Sequence, residues 1–204
     1  MFEEKKAFPI LIAFALTIVI GSFSYNIYQF LQAESVCESD KRLTTEIGGE
    51  IELIDQNGKR IKLSDQEGSI SLIYFGYSYC PDICPYDLER NAYVKDIMDK
   101  KEKKINLVFI TLDPERDTSP RLKIFSEYIH KDLISLTGSG LEIEQVKNLF
   151  KVFGKSNKKD NDDGTYLVDH STFTYLTDSK GKVLTFFNRK SSPESISEKM
   201  LCFL

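Results

Sequence analysis

The sequence predicts an α/β fold: a mixed sheet flanked by helices. Three observations carry that expectation. Strand-like and helix-like segments alternate through most of the chain. Residues 69–75 and 105–112 are apolar runs without a charged side chain, the pattern of central strands covered on both faces. The alternation ends in a hairpin pattern and a last helix, so some neighbouring strands must run antiparallel.

The elements follow in order. Residues 7–33 carry no charge, and a helix over residues 7–28 would reach ~30 Å, the thickness of a bilayer core. The apolar stretch exceeds the ~7–15 residues of a signal-peptide core, and no A-x-A site closes it, so 1–33 reads as a retained N-terminal membrane anchor. Lys5 and Lys6 precede it directly, whereas Lys41 and Arg42 follow at a distance; that bias puts the N-terminus in the cytoplasm and exports the rest. Residues 34–46 are polar and read as a linker. The remainder, 47–204, reads as one domain.

Within that domain, residues 50–54 and 60–63 alternate polar and apolar around Asn57-Gly58, which predicts a hairpin. The buried strand 69–75 comes next. Pro85 at a first helical position predicts a helix over 86–100. The strand 105–112 precedes a helix opened by Ser119-Pro120 and running to about 129. A short strand over 133–137, an amphipathic helix over 141–153 and a charged loop over 157–164 follow. A second hairpin is expected over 172–177 and 182–187, and a helix over 193–200.

Composition removes some functions. The 204 residues carry a net charge of −4, so no basic field for nucleic acid exists. Four cysteines are too few for a disulfide-held scaffold. Cys80 and Cys84 stand in Gly76-Tyr-Ser-Tyr-Cys-Pro-Asp-Ile-Cys-Pro85, between a buried strand and a helix start. Residues four apart share a face when the turn is helical, and the positive field of a helix N-terminus favours thiolate. Core filling explains such cysteines poorly, because prolines and a loop surround them. Two readings stay open: a thiol–disulfide redox pair with one residue more than the usual C-x-x-C, or a soft metal site completed by an imidazole. The chain has two histidines. His130 ends a predicted helix and reads as a cap or a solvated side chain. His170, in Asp169-His170-Ser171, lies at a strand start, where Asp169 or a backbone carbonyl could fix its tautomer.

Three segments carry a family resemblance. Phe75-Gly-Tyr-Ser-Tyr-Cys-Pro-Asp-Ile-Cys-Pro85, Thr111-Leu-Asp-Pro-Glu-Arg-Asp-Thr118 and Val168-Asp-His-Ser171 resemble, in order, the signatures of Sco/SenC proteins. The resemblance implies a thioredoxin-like fold, with copper held by Cys80, Cys84 and His170. It implies delivery of copper to the binuclear site of cytochrome c oxidase subunit II, or reduction of that site's cysteines, and exchange with other copper carriers. The N-terminus shows no Arg- and Ser-rich transit peptide, so the expected place is a bacterial inner membrane with the domain facing the periplasm, or the mitochondrial intermembrane space in a eukaryote. His170-Ser171 stands where thioredoxin-like oxidoreductases usually carry a proline, which favours metal binding over general thiol exchange. A peroxidase of the same superfamily ranks last, since Cys80 has no Arg or Thr beside it in the sequence. Cys37 reads as a linker thiol and Cys202 as a C-terminal core residue. Asp113 reads as a turn cap or a neighbour of the site, and Asp82 as a charge near the cysteines.

Overall fold

The computed structural model describes residues 12, 14–28, 37, 47–158 and 165–204. The chain divides into two compact units, 1–41 and 42–204. In the first, residues 14–28 form a helix (α1) whose large apolar side chains, among them Phe14, Ile18, Val19 and Phe23, are exposed. No helix among the described residues is long and apolar enough to cross a membrane. The rest of the expected anchor (1–11, 13 and 29–33), most of the expected linker (34–36 and 38–46) and 159–164 of the charged loop lie outside the described residues.

The second unit is built on a seven-stranded mixed sheet. Its strands are β1 (Glu52–Asp55), β2 (Arg60–Lys62), β3 (Ile70–Gly76), β4 (Asn106–Thr111), β5 (Leu133–Thr137), β8 (Thr174–Asp178) and β9 (Val183–Phe187), in the spatial order β2-β1-β5-β4-β3-β8-β9. The pairs β3–β4 and β4–β5 are parallel and the others antiparallel. Parallel neighbours need long crossovers. Helices α2 (Ile83–Lys100) and α3 (Ser119–Ile129) supply them. Two further helices complete the unit, α4 (Gly140–Phe150) and α5 (Pro193–Leu201).

Successive strand side chains point to opposite faces. Leu72, Tyr74, Leu107 and Phe109 therefore join Leu88, Met98, Leu122, Ile196 and Met200 of α2, α3 and α5 on one side. Ile73, Phe75, Val108 and Ile110 join Ile143, Val146 and Phe150 of α4 on the other. All of β3 is buried, as its uncharged sequence requires.

Three differences from the sequence reading bear on the site. First, α2 begins at Ile83 rather than Tyr86, which brings Cys84 into its first turn. Pro85 is then the third helical residue, a position whose N–H has no intrahelical partner, so proline loses nothing there. Second, α4 stops at Phe150 because Lys151 takes a left-handed conformation, φ 55°. Third, the chain beyond Lys151 forms a separate two-stranded sheet, β6 (Gly154–Ser156) with β7 (Val168–His170). Three-residue strands of mixed polarity leave no readable period.

Candidate metal centre

The β3 strand ends at Gly76, directly above the first turn of α2. A Cβ added at Gly76 would stand 2.7 Å from Cys84 Sγ, so glycine leaves the room the sulfur occupies. The loop then turns, with the Cys80 amide donating to the Tyr77 carbonyl at 3.1 Å. This puts Cys80 before the helix and Cys84 within it. The Cys84 amide donates to Cys80 Sγ at 3.5 Å, one of the N–H groups that a helix start leaves without a backbone partner. Cys84 is buried and Cys80 half-buried.

His170 arrives from the small sheet. Its pairing with Gly154, and the bonds from Ser171 N to the Phe153 carbonyl (3.0 Å) and from Phe153 N to Ser171 Oγ (3.1 Å), hold it against the cysteine loop. Nδ1 faces the Ser171 carbonyl at 2.8 Å, which assigns the ring proton to that nitrogen and leaves the Nε2 lone pair inward. Nε2 lies 3.3 Å from Cys84 Sγ. The donor atoms of Cys80, Cys84 and His170 all lie within 4.8 Å of one another. Of the two tautomer partners the sequence offered, the backbone carbonyl is the one used. Asp169 instead accepts from Asn157 Nδ2 at 3.3 Å.

The two sulfurs differ in charge preference. The Cys84 thiol donating to Cys80 is the largest influence that holds Cys80 down, to about 3, helped by His170 and by the amides of Cys84 and Asp82 against the opposing effect of burial. The same hydrogen bond, with burial, pushes Cys84 well above the ordinary thiol range. The apo pair is thus one thiolate and one thiol, with Nε2 of His170 beside them. Two sulfurs and a nitrogen suit a soft ion. Metal–ligand bonds of ~2.0–2.3 Å require donor atoms a few ångströms apart, the spacing found here.

Of the supporting residues, only Asp113 was named from the sequence, as a turn cap or a neighbour of the site. Asp117, fully buried, accepts from Ser78 N (2.9 Å), Ser78 Oγ (2.6 Å) and Thr111 Oγ1 (2.6 Å), tying the cysteine loop to the end of β4. Burial pushes its carboxyl up, against those hydrogen bonds. Arg121 donates to Ser78 Oγ (2.9 Å) and to its carbonyl (3.2 Å). Asp113 accepts from Arg116 and from the Tyr166 hydroxyl, and the Arg116 guanidinium lies 3.4 Å from the Tyr166 ring centroid. The D-x-x-x-D spacing of Asp113 and Asp117 was the available signal. His130 is the C-cap residue of α3, where its Nδ1 accepts from the Asp132 amide at 3.1 Å and Nε2 faces Asp96. Neither Cys37 nor Cys202 carries a free thiol, a correction to the linker thiol expected at Cys37.

A protein-family model described as SCO1/SenC matches residues 39–204. The chain belongs to the SCO1/SenC family. An SCO2-like protein of Rickettsia felis is 39% identical over 198 residues, covering 96% of each chain. Among solved structures, Bradyrhizobium japonicum ScoI with copper bound is 37% identical, with a TM-score of 0.70 over 78% of this chain and 99% of that one. Yeast Sco1 with copper bound is 30% identical, with a TM-score of 0.71 over 77% and 87%. The mixed sheet with its flanking helices is accordingly the thioredoxin-like fold of SCO1/SenC proteins.

Proposed function

We propose that the protein is a copper chaperone that holds one copper ion through Cys80, Cys84 and His170 and delivers it to the binuclear copper site of cytochrome c oxidase subunit II. The observation that carries this reading is the 3.3 Å approach of His170 Nε2 to Cys84 Sγ, with all three donor atoms within 4.8 Å. The ring comes from a different sheet than the cysteines, and thiol exchange alone has no need of it. Copper in the ScoI and Sco1 relatives supports the choice of ion. Sco proteins act in cytochrome c oxidase assembly, which supports the choice of target. Copper is cargo here. Cys80 offers a thiolate, Cys84 gives up a proton on binding, and the proton on Nδ1 stays with the Ser171 carbonyl.

The exposed apolar side chains of α1 and the uncharged run around it support a single-span anchor in the inner membrane, with the copper domain facing the periplasm. The test is metal content after Cu(I) loading of the full-length chain in detergent. Wild type is expected to retain one copper per chain, and Cys80→Ala, Cys84→Ala and His170→Ala to lose it. Full retention by His170→Ala sinks the reading.

A second reading rests on the thiolate of Cys80 beside the thiol of Cys84. In a reductase, Cys80 sulfur attacks a target disulfide and releases one target thiolate. Cys84 then loses its proton and attacks the mixed disulfide, closing Cys80–Cys84. The target gains two electrons and the one proton that Cys84 gave up; its second sulfur leaves as a thiolate that takes a proton from water. Unchanged disulfide reduction by His170→Ala would favour this activity over copper delivery.

A further inference from the structure

The face of α2 that buries Cys84 turns polar beyond its first turn. Cys84, Asp87 and Asn91 stand at i, i+3 and i+7, so they share one helix face, and all three are fully buried. Arg90 beside them is buried too. A helix lying on a sheet ordinarily turns an apolar stripe to it. Here the stripe meets polar partners on the sheet. Tyr74 of β3 and Thr174 of β8 are directly opposite each other in their antiparallel pairing, so they project from the same face. Tyr74 Oη donates to Asp87 Oδ2 at 3.1 Å. Thr174 Oγ1 accepts from Asn91 Nδ2 at 3.0 Å and from Arg90 Nη2 at 2.8 Å, and donates to Asn91 Oδ1 at 3.3 Å. That uses the whole capacity of the hydroxyl. Arg90 also donates to the Asn188 carbonyl beyond β9 at 3.0 Å. Arg90 and Arg189 lie 3.7 and 3.5 Å from the Asp87 carboxylate.

This cluster is a poor source of stability. Asp87 Oδ1 has no hydrogen-bond partner, and a buried polar atom left so costs about 1–3 kcal/mol. Buried ionic groups add little net stability, and their best-attested use is to fix one register among those that apolar packing would tolerate. The chain shows which register is at stake. Cys84 precedes Asp87 on α2, and His170 lies just before Thr174. The placement of α2 along β8 therefore sets the distance from Cys84 Sγ to His170 Nε2, which is 3.3 Å. Tyr74, held by Asp87, adds a ring edge against the imidazole, with centroids 6.2 Å apart at 87°.

We infer that Arg90, Asn91 and Thr174 are positioning residues of the copper centre: their hydrogen bonds lock α2 to β8 in the one register that brings the Cys84 sulfur to the His170 imidazole. The inference rests on the copper-carrier reading for the ion, but not for the register. Metal–ligand distances tolerate only about ±0.2 Å, so a shift that apolar packing absorbs would spoil the ligand set. Loss of groups that orient ligands weakens metal binding about 10- to 100-fold.

The experiment turns on the Thr174 hydroxyl, in the full-length chain in detergent. Thr174→Val keeps the side-chain shape and removes the hydroxyl, whereas Thr174→Ser keeps the hydroxyl and removes a methyl. Were only packing at stake, valine would be the milder change, since β-branched residues suit strands. Thr177→Val is the control: Thr177 is fully buried on the same strand, and its Oγ1 has no hydrogen-bond partner. Cu(I) affinity is read by competition with a chromogenic chelator, and folding by circular dichroism. The Cys84–His170 separation in the apo chain is read by the nuclear Overhauser effect between the imidazole and the cysteine β-protons. Thr174→Val is expected to bind Cu(I) about tenfold more weakly and to lose most of that Overhauser intensity, with Thr174→Ser and Thr177→Val matching wild type. Should Thr174→Val not fold, Asn91→Leu/Thr174→Val replaces donor and acceptor together by apolar groups, a change that folding tolerates, and the same losses are expected of it. A folded Thr174→Val or double variant with wild-type affinity and Overhauser intensity overturns the inference, as does Thr174→Ser behaving like Thr174→Val. Should wild type bind no Cu(I), the copper reading fails by itself, and the Overhauser intensities still decide the register.

Discussion

Cys80 is held well below the ordinary thiol range, and its pH behaviour is a direct check. A free thiol gains reactivity about tenfold per pH unit until it ionises near its ordinary value. Cys80 ionises near 3, first because the Cys84 thiol donates to it. In the apo protein its alkylation by iodoacetamide should therefore be flat from pH 5 to 8, while buried Cys84 reacts far more slowly. Mass spectrometry of the labelled peptides reads both; a Cys80 rate climbing a thousandfold over that range would remove the thiolate. Gly76 makes a second residue-scale prediction. Its added Cβ meets Cys84 Sγ at 2.7 Å and the Tyr74 ring at 3.1 Å. Gly76→Ala should cost about 1–3 kcal/mol through overpacking, measured by urea unfolding, and weaken Cu(I) binding by displacing the sulfur.

At the scale of elements, the sequence revealed most of the fold but not the parts that aim the site. Strands β3 and β4 were legible because burial on both faces demands uninterrupted apolar residues, and hairpin turns carry glycine where φ is positive, as at Gly58 and Gly181. The strands β6 and β7 were not, since three residues of mixed polarity cannot show a period. The start of α2 was misplaced because proline suits each of the first helical positions. The capping box of α4 also went unread: Ser139 Oγ accepts from the Glu142 amide at 3.3 Å while Glu142 Oε2 accepts from Ser139 N at 2.7 Å. These bonds, with Arg60 at 2.8 Å, hold the Glu142 carboxyl down to about 2. A depressed carboxyl stabilises the fold above its ordinary value of 4.5, and that contribution fades as pH falls toward 2. Glu142→Ala should thus lower stability by about 1 kcal/mol at pH 7. The gap between it and wild type should close on acidification through that window, followed by urea midpoints at stepped pH.

For the molecule as a whole, the decisive feature is that the candidate ligands come from two separately hydrogen-bonded substructures. Cys80 and Cys84 belong to the junction of the main sheet with α2, where β3 is wholly buried. His170 belongs to the two-stranded sheet, whose strands are short, partly exposed and joined by a chain that includes 159–164. Short exposed pairings open at low free-energy cost, whereas central strands exchange only on global unfolding. An ion bound by all three side chains ties the weaker pairing to the stronger one, and it stabilises whatever must be closed to bind it. Copper loading should therefore slow amide hydrogen exchange at 154–156 and 168–170 far more than in β3 or β4. His170→Ala should abolish that protection even where two sulfurs still retain metal. Exchange measured by mass spectrometry on apo and Cu(I)-loaded chains reads the difference. Equal protection in wild type and His170→Ala would mean that the imidazole does not hold the ion, and that the small sheet is no part of the copper centre.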